Sequence, residues 1–519
     1  MKWQTDNARR IGGQTYKCGQ SHTEGIGEKT NNLISTVMKK RLNLTVILLM
    51  IATMCCMAGG KKAKYVFYFI TDGTGVNTVL ATEMYRAELE GRIGRVPCSM
   101  SLFPVVGISS TFSTSSGVTD SAASGTALAT GVKTNNGAIG MAPDMKTPVT
   151  SIAVWAKEAG MRVGVASSCP VNHATPAAFI AHRASRKDYY GIGLDMVKAG
   201  FDFYAGSEVN KHTDKKNYPG QPDIYDIMRK AGYTVAFGID EYEKMSRRAE
   251  RILLVQDTTR LNPASGTYSI PYAIDAKEGE MRIEDILRAE IDFLMKDNKR
   301  GFFLMNEIGG KVDWACHALD GAATFAEVEA VDRCVKIALE FYEKHPDETL
   351  IVLTADHETG GLVLAPDDIY EVKLRVLKNQ KVSTDGFTAI LHNMRKETRN
   401  RVTWEQAKAA LTENFGFWTS LEMTTDEEEE LKQVWHESFE DKAEEIKNEY
   451  TANEPLAVLA RNIINKKAMI TWNTRGHSAG LVPVYAIGVG QERFSSHNDN
   501  ADIPLKIARA AGYKTPFDK

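Results

Sequence analysis

The chain has 519 residues, a formal net charge of −3 and a sequence pI near 6.5, with 43% hydrophobic and 25% charged residues. That is the composition of an ordinary globular chain, and its charge balance, without any basic stripe of interleaved aromatics, excludes a nucleic-acid partner. The length allows several domains or one large α/β core with additions.

Residues 1–37 are polar and lack apolar periodicity, and they read as a mis-called N-terminal extension. Met38-Lys39-Lys40-Arg41, followed by the apolar stretch Leu42 to Ala52, has the two parts of a secretory signal. Residues 38–60 are therefore expected to be a signal peptide, cleaved near Ala58–Gly60. The apolar part is too short for a spanning helix, so no spanning segment is expected in the mature protein. The expected location is periplasmic or secreted. Cys55-Cys56 offers a lipid anchor as the alternative, although Met54 is larger than the residue such a site prefers. Cys98, Cys169, Cys316 and Cys334 would remain after cleavage; export permits disulfides, but the sequence does not pair them.

Lys64 to Ile70 is a short, continuous apolar run and predicts a buried strand, ending in Thr71-Asp72-Gly73-Thr74-Gly75. An acid there marks either a turn or a metal or phosphate site. Thr119-Asp120-Ser121-Ala122-Ala123-Ser124-Gly125 leads from a Ser/Thr-rich segment into a small-residue helix start. Ser121 is either a helix cap or a nucleophile at a helix N-terminus, where free N–H groups and the dipole favour phosphate. Next come a helix over 150–159, a strand over 161–167, the stretch Pro170 to Ala178, and a helix carrying His182 to Arg186. Helix then strand recurs at 223–231 and 233–237, at 284–295 and 301–305, and at 322–343 and 349–354. This alternation predicts an α/β three-layer sandwich with a mostly parallel central sheet. From about 362 to 470 charged residues crowd in and predict a helical insertion, with Asp426 to Glu430 as a solvated helix face. The sheet resumes at Leu481 to Gly488, so 61–519 is read as one catalytic domain with that insertion.

Asp313 and His317 are four apart and share a face if the stretch is helical, a spacing suited to Zn²⁺. Asp356-His357 follows the strand at 349–354, and His477 precedes the last strand. Each motif alone is more often structural. Together with Asp72 and a loop serine, three such groups beside strand ends point to a metal centre. Cys316 reads as a small buried thiol rather than a ligand.

These motifs resemble the alkaline phosphatase family. The matching stretches are Thr71-Asp72-Gly73, Thr119 to Ser124, Gly131-Val132-Lys133-Thr134, Ala174-Thr175-Pro176-Ala177-Ala178, Asp313 with His317, Thr354 to Gly361, and Gly476-His477. The resemblance implies hydrolysis of phosphate monoesters through a phosphoserine on Ser121, with two Zn²⁺ and one Mg²⁺. It implies Asp313, His317 and His477 on one zinc, and Asp72, Asp356 and His357 on the other, next to Ser121. It also implies Thr175 on magnesium, with Asp72 reaching that ion, and Arg186 on the phosphoryl oxygens. Two in-line displacements then predict net retention at phosphorus. A homodimer is expected from the resemblance alone.

Three departures stand out. The family usually has a glutamate five residues before the Asp of Asp-x-x-x-His; here Ile308 stands there and Glu307 is six before. Either a one-residue bulge restores Glu307 as a magnesium ligand or the third site is weakened. His173, two before Thr175, is either a ligand that alters the third site or a cap of the next helix. Trp314 follows Asp313 where some members place Lys or His, which removes one phosphate contact. The alternatives are a phosphodiesterase or sulfatase on the same core, which Ser121 in this context fits poorly, and a non-catalytic metal- or phosphate-binding protein.

Overall fold

The computed structural model describes residues 61–257, 270–366, 370–439 and 444–518. The extension, the signal segment and Cys55-Cys56 lie outside the described residues.

Ten strands form the central sheet. In chain order they are β1 (Tyr65–Ile70), β2 (Val105–Ser110), β3 (Arg162–Ser167), β4 (Phe203–Gly206), β5 (Tyr233–Phe237), β6 (Arg251–Val255), β7 (Phe302–Glu307), β8 (Thr349–Thr354), β9 (Val482–Gly488) and β10 (Ser496–Asp499). Their spatial order is β10-β2-β9-β8-β1-β7-β3-β4-β6-β5. Every neighbouring pair is parallel except those of β9, which runs antiparallel to β8 and β2.

β1 explains the layering. Successive side chains of a strand point to opposite faces. Val66, Tyr68 and Ile70 pack into one apolar layer, with Ala122 and Leu128 of helix Ser121–Thr130 and Ile192 of helix Tyr189–Ala199. Tyr65, Phe67 and Phe69 pack into the other, with Leu287 and Phe293 of helix Ile283–Met295 and Val331 and Val335 of helix Gly321–Lys344. Both faces are covered, so all six residues are buried and the run is apolar throughout rather than alternating. The expected three layers are present.

The segment 362–470 builds an apolar cluster that also takes in Ala81, Ala322 and Phe325 of the body. Phe387, Leu411, Leu431 and Ile464 come from the helices Thr384–Thr398, Trp404–Phe415, Thr425–Phe439 and Pro455–Lys467. Its two ends leave the body side by side, where Leu362–Leu364 pairs antiparallel with Ile470–Trp472. In the acidic run, Glu429 and Glu430 are exposed, while Glu427 pairs with Lys467 at 2.8 Å and Glu428 with Lys408 at 2.5 Å.

One expected element is absent: His182 to Arg186 is not a helix. The helix Ala174–Ala178 ends after five residues. Arg183 and Ile139 then exchange both backbone hydrogen bonds at 2.8 Å, and Arg186 N donates to Gly137 O at 2.8 Å. These long-range partners satisfy the amides in an extended path, which local periodicity does not reveal.

Candidate active site

The site sits where β1, β7 and β8 end. These strands are adjacent, and the register pairs Phe69 with Asn306 and Ile70 with Thr354, so their ends are level. Asp72 follows β1, Glu307 closes β7 and Asp356-His357 follows β8. Strand C-terminal ends are the usual place for a site in an open α/β sheet. Helix Gly310–His317 then presents Asp313 and His317 on one face. Gly73, at φ +72, lets this helix come close: a Cβ there would lie 2.7 Å from the Asp313 Cα.

Ser121 is the first residue of its helix, but it is not the cap. Asp120 is, accepting from Ala123 N at 3.0 Å. The Ser121 hydroxyl is therefore available, fully buried, and 3.1 Å from His357 Nε2.

Two ligand groups meet beside it. In the first, Asp313 Oδ1 lies 3.4 Å from His317 Nε2 and 3.9 Å from His477 Nε2. In the second, His357 Nε2 lies 3.3 Å from both Asp72 Oδ1 and Asp356 Oδ2. The potential ligand atoms of each group all lie within 4.8 Å of one another. The rings of His357 and His477 are stacked at 3.6 Å, which sets the two groups side by side.

The hydrogen bonds assign the histidine tautomers. His317 Nδ1 faces Arg475 O at 2.6 Å and His477 Nδ1 faces Thr119 O at 2.8 Å. A carbonyl only accepts, so both Nδ1 atoms carry the proton. The Thr359 hydroxyl donates to Asp313 Oδ1 at 2.5 Å and so accepts from His357 Nδ1 at 3.2 Å. All three rings thus turn an unprotonated Nε2 into the site, as metal-ligating imidazoles do. Asp72 Oδ1, Asp356 Oδ2 and His317 Nε2 are buried without a hydrogen-bond partner. Orphaned acceptors that converge in this way are what a pair of divalent cations would satisfy.

Burial, with Asp356 and Asp313 close by, pushes the Asp72 carboxyl well above the usual carboxylate range. Burial pushes Asp356 and Glu307 each up to about 7. Burial also disfavours a charge on Asp313, yet His317, His477 and His357 hold that carboxyl well below its ordinary value. Burial and the neighbouring His477 push His357 down, and burial with Arg186 nearby takes His173 down to about 3.

Glu307, not Ile308, stands at the cluster. The extra residue is taken up in the turn after β7, with Ile308 buried in the apolar layer. Glu307 accepts from the Ser167 hydroxyl and leaves Oε1 unpartnered. The buried Thr175 hydroxyl lies 3.4 Å from Asp72 Oδ2. His173 is the residue before helix Ala174–Ala178, but its side chain makes no capping bond. Its Nε2 accepts from Arg186 Nη2 at 3.3 Å, and Arg186 Nη1 pairs with Asp120 at 3.2 Å. Arg186, His173, Trp314, His317 and His477 line one cleft of about 880 Å³.

An alkaline phosphatase family model matches residues 63–205 and 266–513. The chain belongs to the alkaline phosphatase family. It is 30% identical over 461 residues to alkaline phosphatase 3 of Bacillus subtilis strain 168, covering 87% of this chain and 90% of that protein. The alkaline phosphatase of Schizosaccharomyces pombe is 27% identical over 470 residues, covering 85% and 80%. Among solved structures, a cold-active alkaline phosphatase from a psychrophilic Shewanella matches with a TM-score of 0.71 at 26% identity, covering 86% of this chain and 99% of that one. The chain is accordingly a phosphatase of this metal-dependent family, and phosphate monoester hydrolysis is the activity that the family supports.

Several residues that shape the site escaped the sequence reading. Thr359 bridges the two ligand groups, and its only signal is its place in the stretch Asp356 to Gly361. Ser124 donates to Asp356 O at 2.5 Å. Tyr450 donates to Asp313 Oδ2 at 2.9 Å from within the charged 362–470 segment, where nothing local marks it. Cys316 is buried and lies 3.8 Å from the Thr324 hydroxyl, away from ligand duty. The four described cysteines are buried and free. A third His/Glu group, His392 with Glu445 and Glu454, is an ion-pair network, since Arg395 occupies both oxygens of Glu454 at 2.7 and 2.9 Å. No described helix is long and apolar enough to cross a membrane.

Proposed function

We propose that this chain hydrolyses phosphate monoesters through a phosphoserine on Ser121, with zinc at each of the two Asp/His groups and magnesium at Asp72, Thr175 and Glu307. The observation that carries the reading is the Ser121 hydroxyl at a helix N-terminus, 3.1 Å from His357 Nε2 and beside two ligand groups in which Asp72 Oδ1, Asp356 Oδ2 and His317 Nε2 are buried without a partner. When bound, the two zinc ions would supply positive charge at the attacking and leaving oxygens, and magnesium a further fixed charge. The donor sets fit: imidazole nitrogens with carboxylates suit zinc, and an all-oxygen set suits magnesium.

The chain's own residues do the rest. Phosphoryl transfer depends mostly on positioning and charge, since a monoester dianion repels nucleophiles. The helix N-terminus directs the free N–H groups of the first turn at the phosphoryl oxygens. Ser121 Oγ attacks phosphorus in line, the P–O bond to the alcohol breaks, and the alcohol leaves. Water then attacks the phosphoserine from the vacated side, breaking the bond to Ser121 Oγ and releasing phosphate with net retention. Arg186 offers a planar fork for two phosphoryl oxygens and is held in the cleft by Asp120 and His173. His173 Nε2 is engaged by that guanidinium, so His173 is read as positioning Arg186. Export and the signal peptide rest on the Met38 to Ala52 pattern, and the homodimer on the resemblance.

Arg186→Ala is expected to raise KM and lower kcat/KM by about 10- to 100-fold, the worth of a charge-assisted pair of hydrogen bonds, with Arg186→Lys in between. Initial rates over a range of substrate concentration check this. The reading itself is tested by hydrolysis of para-nitrophenyl phosphate by the chain from Gly60 onward at alkaline pH. Turnover should vanish with chelator and return with zinc and magnesium. A fully loaded protein without turnover would refute it.

A further inference from the structure

We propose that Tyr450, supplied by the 362–470 segment, is a positioning residue that fixes the orientation of Asp313 as a metal ligand. The inference rests on the metal-dependent reading above. It concerns a residue from outside the sheet body that no motif in the chain points to.

The geometry is built rather than incidental. Tyr450 lies at the tip of a hairpin formed by Ile446–Lys447 and Ala452–Asn453. Asn448 Oδ1 accepts from Tyr450 N at 2.8 Å and from Thr451 N at 2.7 Å, which closes the turn from inside. The hairpin is pegged to helix Thr384–Thr398, because Asp385 Oδ1 accepts from Asn453 Nδ2 at 2.6 Å and from the Thr451 hydroxyl at 3.0 Å. The Tyr450 ring stacks on Trp314 with centroids 4.6 Å apart and planes 16° apart, and it meets His317 edge-on at 5.2 Å. Trp314 in turn has the Lys311 Nζ 4.2 Å from its ring centroid. A ring held in this way directs its hydroxyl.

That hydroxyl donates to Asp313 Oδ2 at 2.9 Å, while the Thr359 hydroxyl donates to Oδ1 at 2.5 Å. Both carboxylate oxygens are therefore held, with Oδ1 at 3.4 Å from His317 Nε2 and 3.9 Å from His477 Nε2. Without the Tyr450 bond the carboxylate gains a free oxygen and a rotation. It could then swing off the site. Hydrogen bonds that orient a metal ligand are typically worth about 10- to 100-fold in metal affinity or activity.

The test compares the zinc-loaded wild type with Tyr450→Phe and Asn448→Ala. The first keeps the stacked ring and removes only the hydroxyl; the second loosens the turn and leaves every site residue in place. Zinc release to a chromogenic chelator is followed, together with kcat and KM for para-nitrophenyl phosphate. Tyr450→Phe should release one zinc at least about 10-fold faster and lose kcat by a similar factor with KM unchanged. Asn448→Ala should shift in the same direction by less. Wild-type zinc release by Tyr450→Phe would overturn the proposal, whatever its kcat. Because zinc release is read without turnover, an inactive wild type would refute the phosphatase reading while the Tyr450 arm still decides. A wild type that retains no zinc would overturn both.

Discussion

Ser121→Ala is expected to lower kcat by about three to six orders of magnitude while the protein stays folded, as removal of a nucleophile does elsewhere. The site makes this a clean substitution. Asp120 caps the helix, so the cap survives. Alanine is a better helix former than serine, and its neighbours Ala122 and Ala123 are equally buried. Among the described residues, the only hydrogen bond lost is the one to His357. Melting temperature should therefore change little, since no cavity, charge or cap is disturbed. Ser124 is the control serine in the same turn. Its hydroxyl donates to Asp356 O, and its oxygen accepts from Asn500 Nδ2 at 2.8 Å, so it is engaged and is not the nucleophile. Steady-state kinetics with thermal melts checks the pair. A Ser121→Ala protein with near wild-type turnover would contradict the assignment.

Stripping the metals is expected to abolish turnover and to lower thermal stability by a margin that widens as pH rises from about 5 to 7. The sign follows from the buried acids. Asp356 and Glu307 are pushed up to about 7, and Asp72 is raised with them, whereas unfolded carboxyls titrate near 4. In this window the folded, metal-free chain holds protons that the unfolded chain has released. These three groups therefore make the metal-free fold less stable as pH rises through this window, and Asp356 and Glu307 ionise at about 7. Metal ions must displace the same protons, so they bind more tightly over the same interval. Each displaced proton contributes about 1.4 kcal/mol per pH unit to the gap. His357 and His173 are held neutral throughout this range and release none on binding, and Asp313 is already ionised. The acids interact, so the gap reports the cluster as a unit. Calorimetric melts of loaded and stripped protein at pH 5 and pH 8 measure it. A gap that stays constant or narrows would contradict the picture of shared protons in an empty carboxylate cluster.

The sequence revealed the parts of the fold whose cause is local. β1 is readable because burial on both faces makes all six of its residues apolar, and Thr349 to Thr354, buried throughout, is readable for the same reason. β2 carries Gly107, Ser109 and Ser110, and β4 has only four residues, so neither stands out from a loop. The stretch His182 to Arg186 was misread as helix because its amides find Ile139 and Gly137 more than 40 residues away. In the site, the ligand motifs could be read because metal chemistry restricts residue type. The groups that aim the ligands could not. Thr119 and Arg475 act through backbone carbonyls, which any residue supplies. Tyr450 reaches Asp313 across 137 positions from a segment whose composition describes only a charged helical surface. The register of Glu307 needed the structure, because the sequence allows either the strand or the turn to absorb Ile308.

The most direct test of the central claim is to trap the covalent intermediate. The metal-loaded protein is mixed with a monoester carrying a labelled phosphoryl group, quenched in acid after increasing times, digested and mapped. Stoichiometric label on the peptide that contains Ser121, absent from Ser121→Ala, is the predicted result. Turnover without label at any quench time, or label on a residue other than Ser121, would contradict the phosphoserine mechanism.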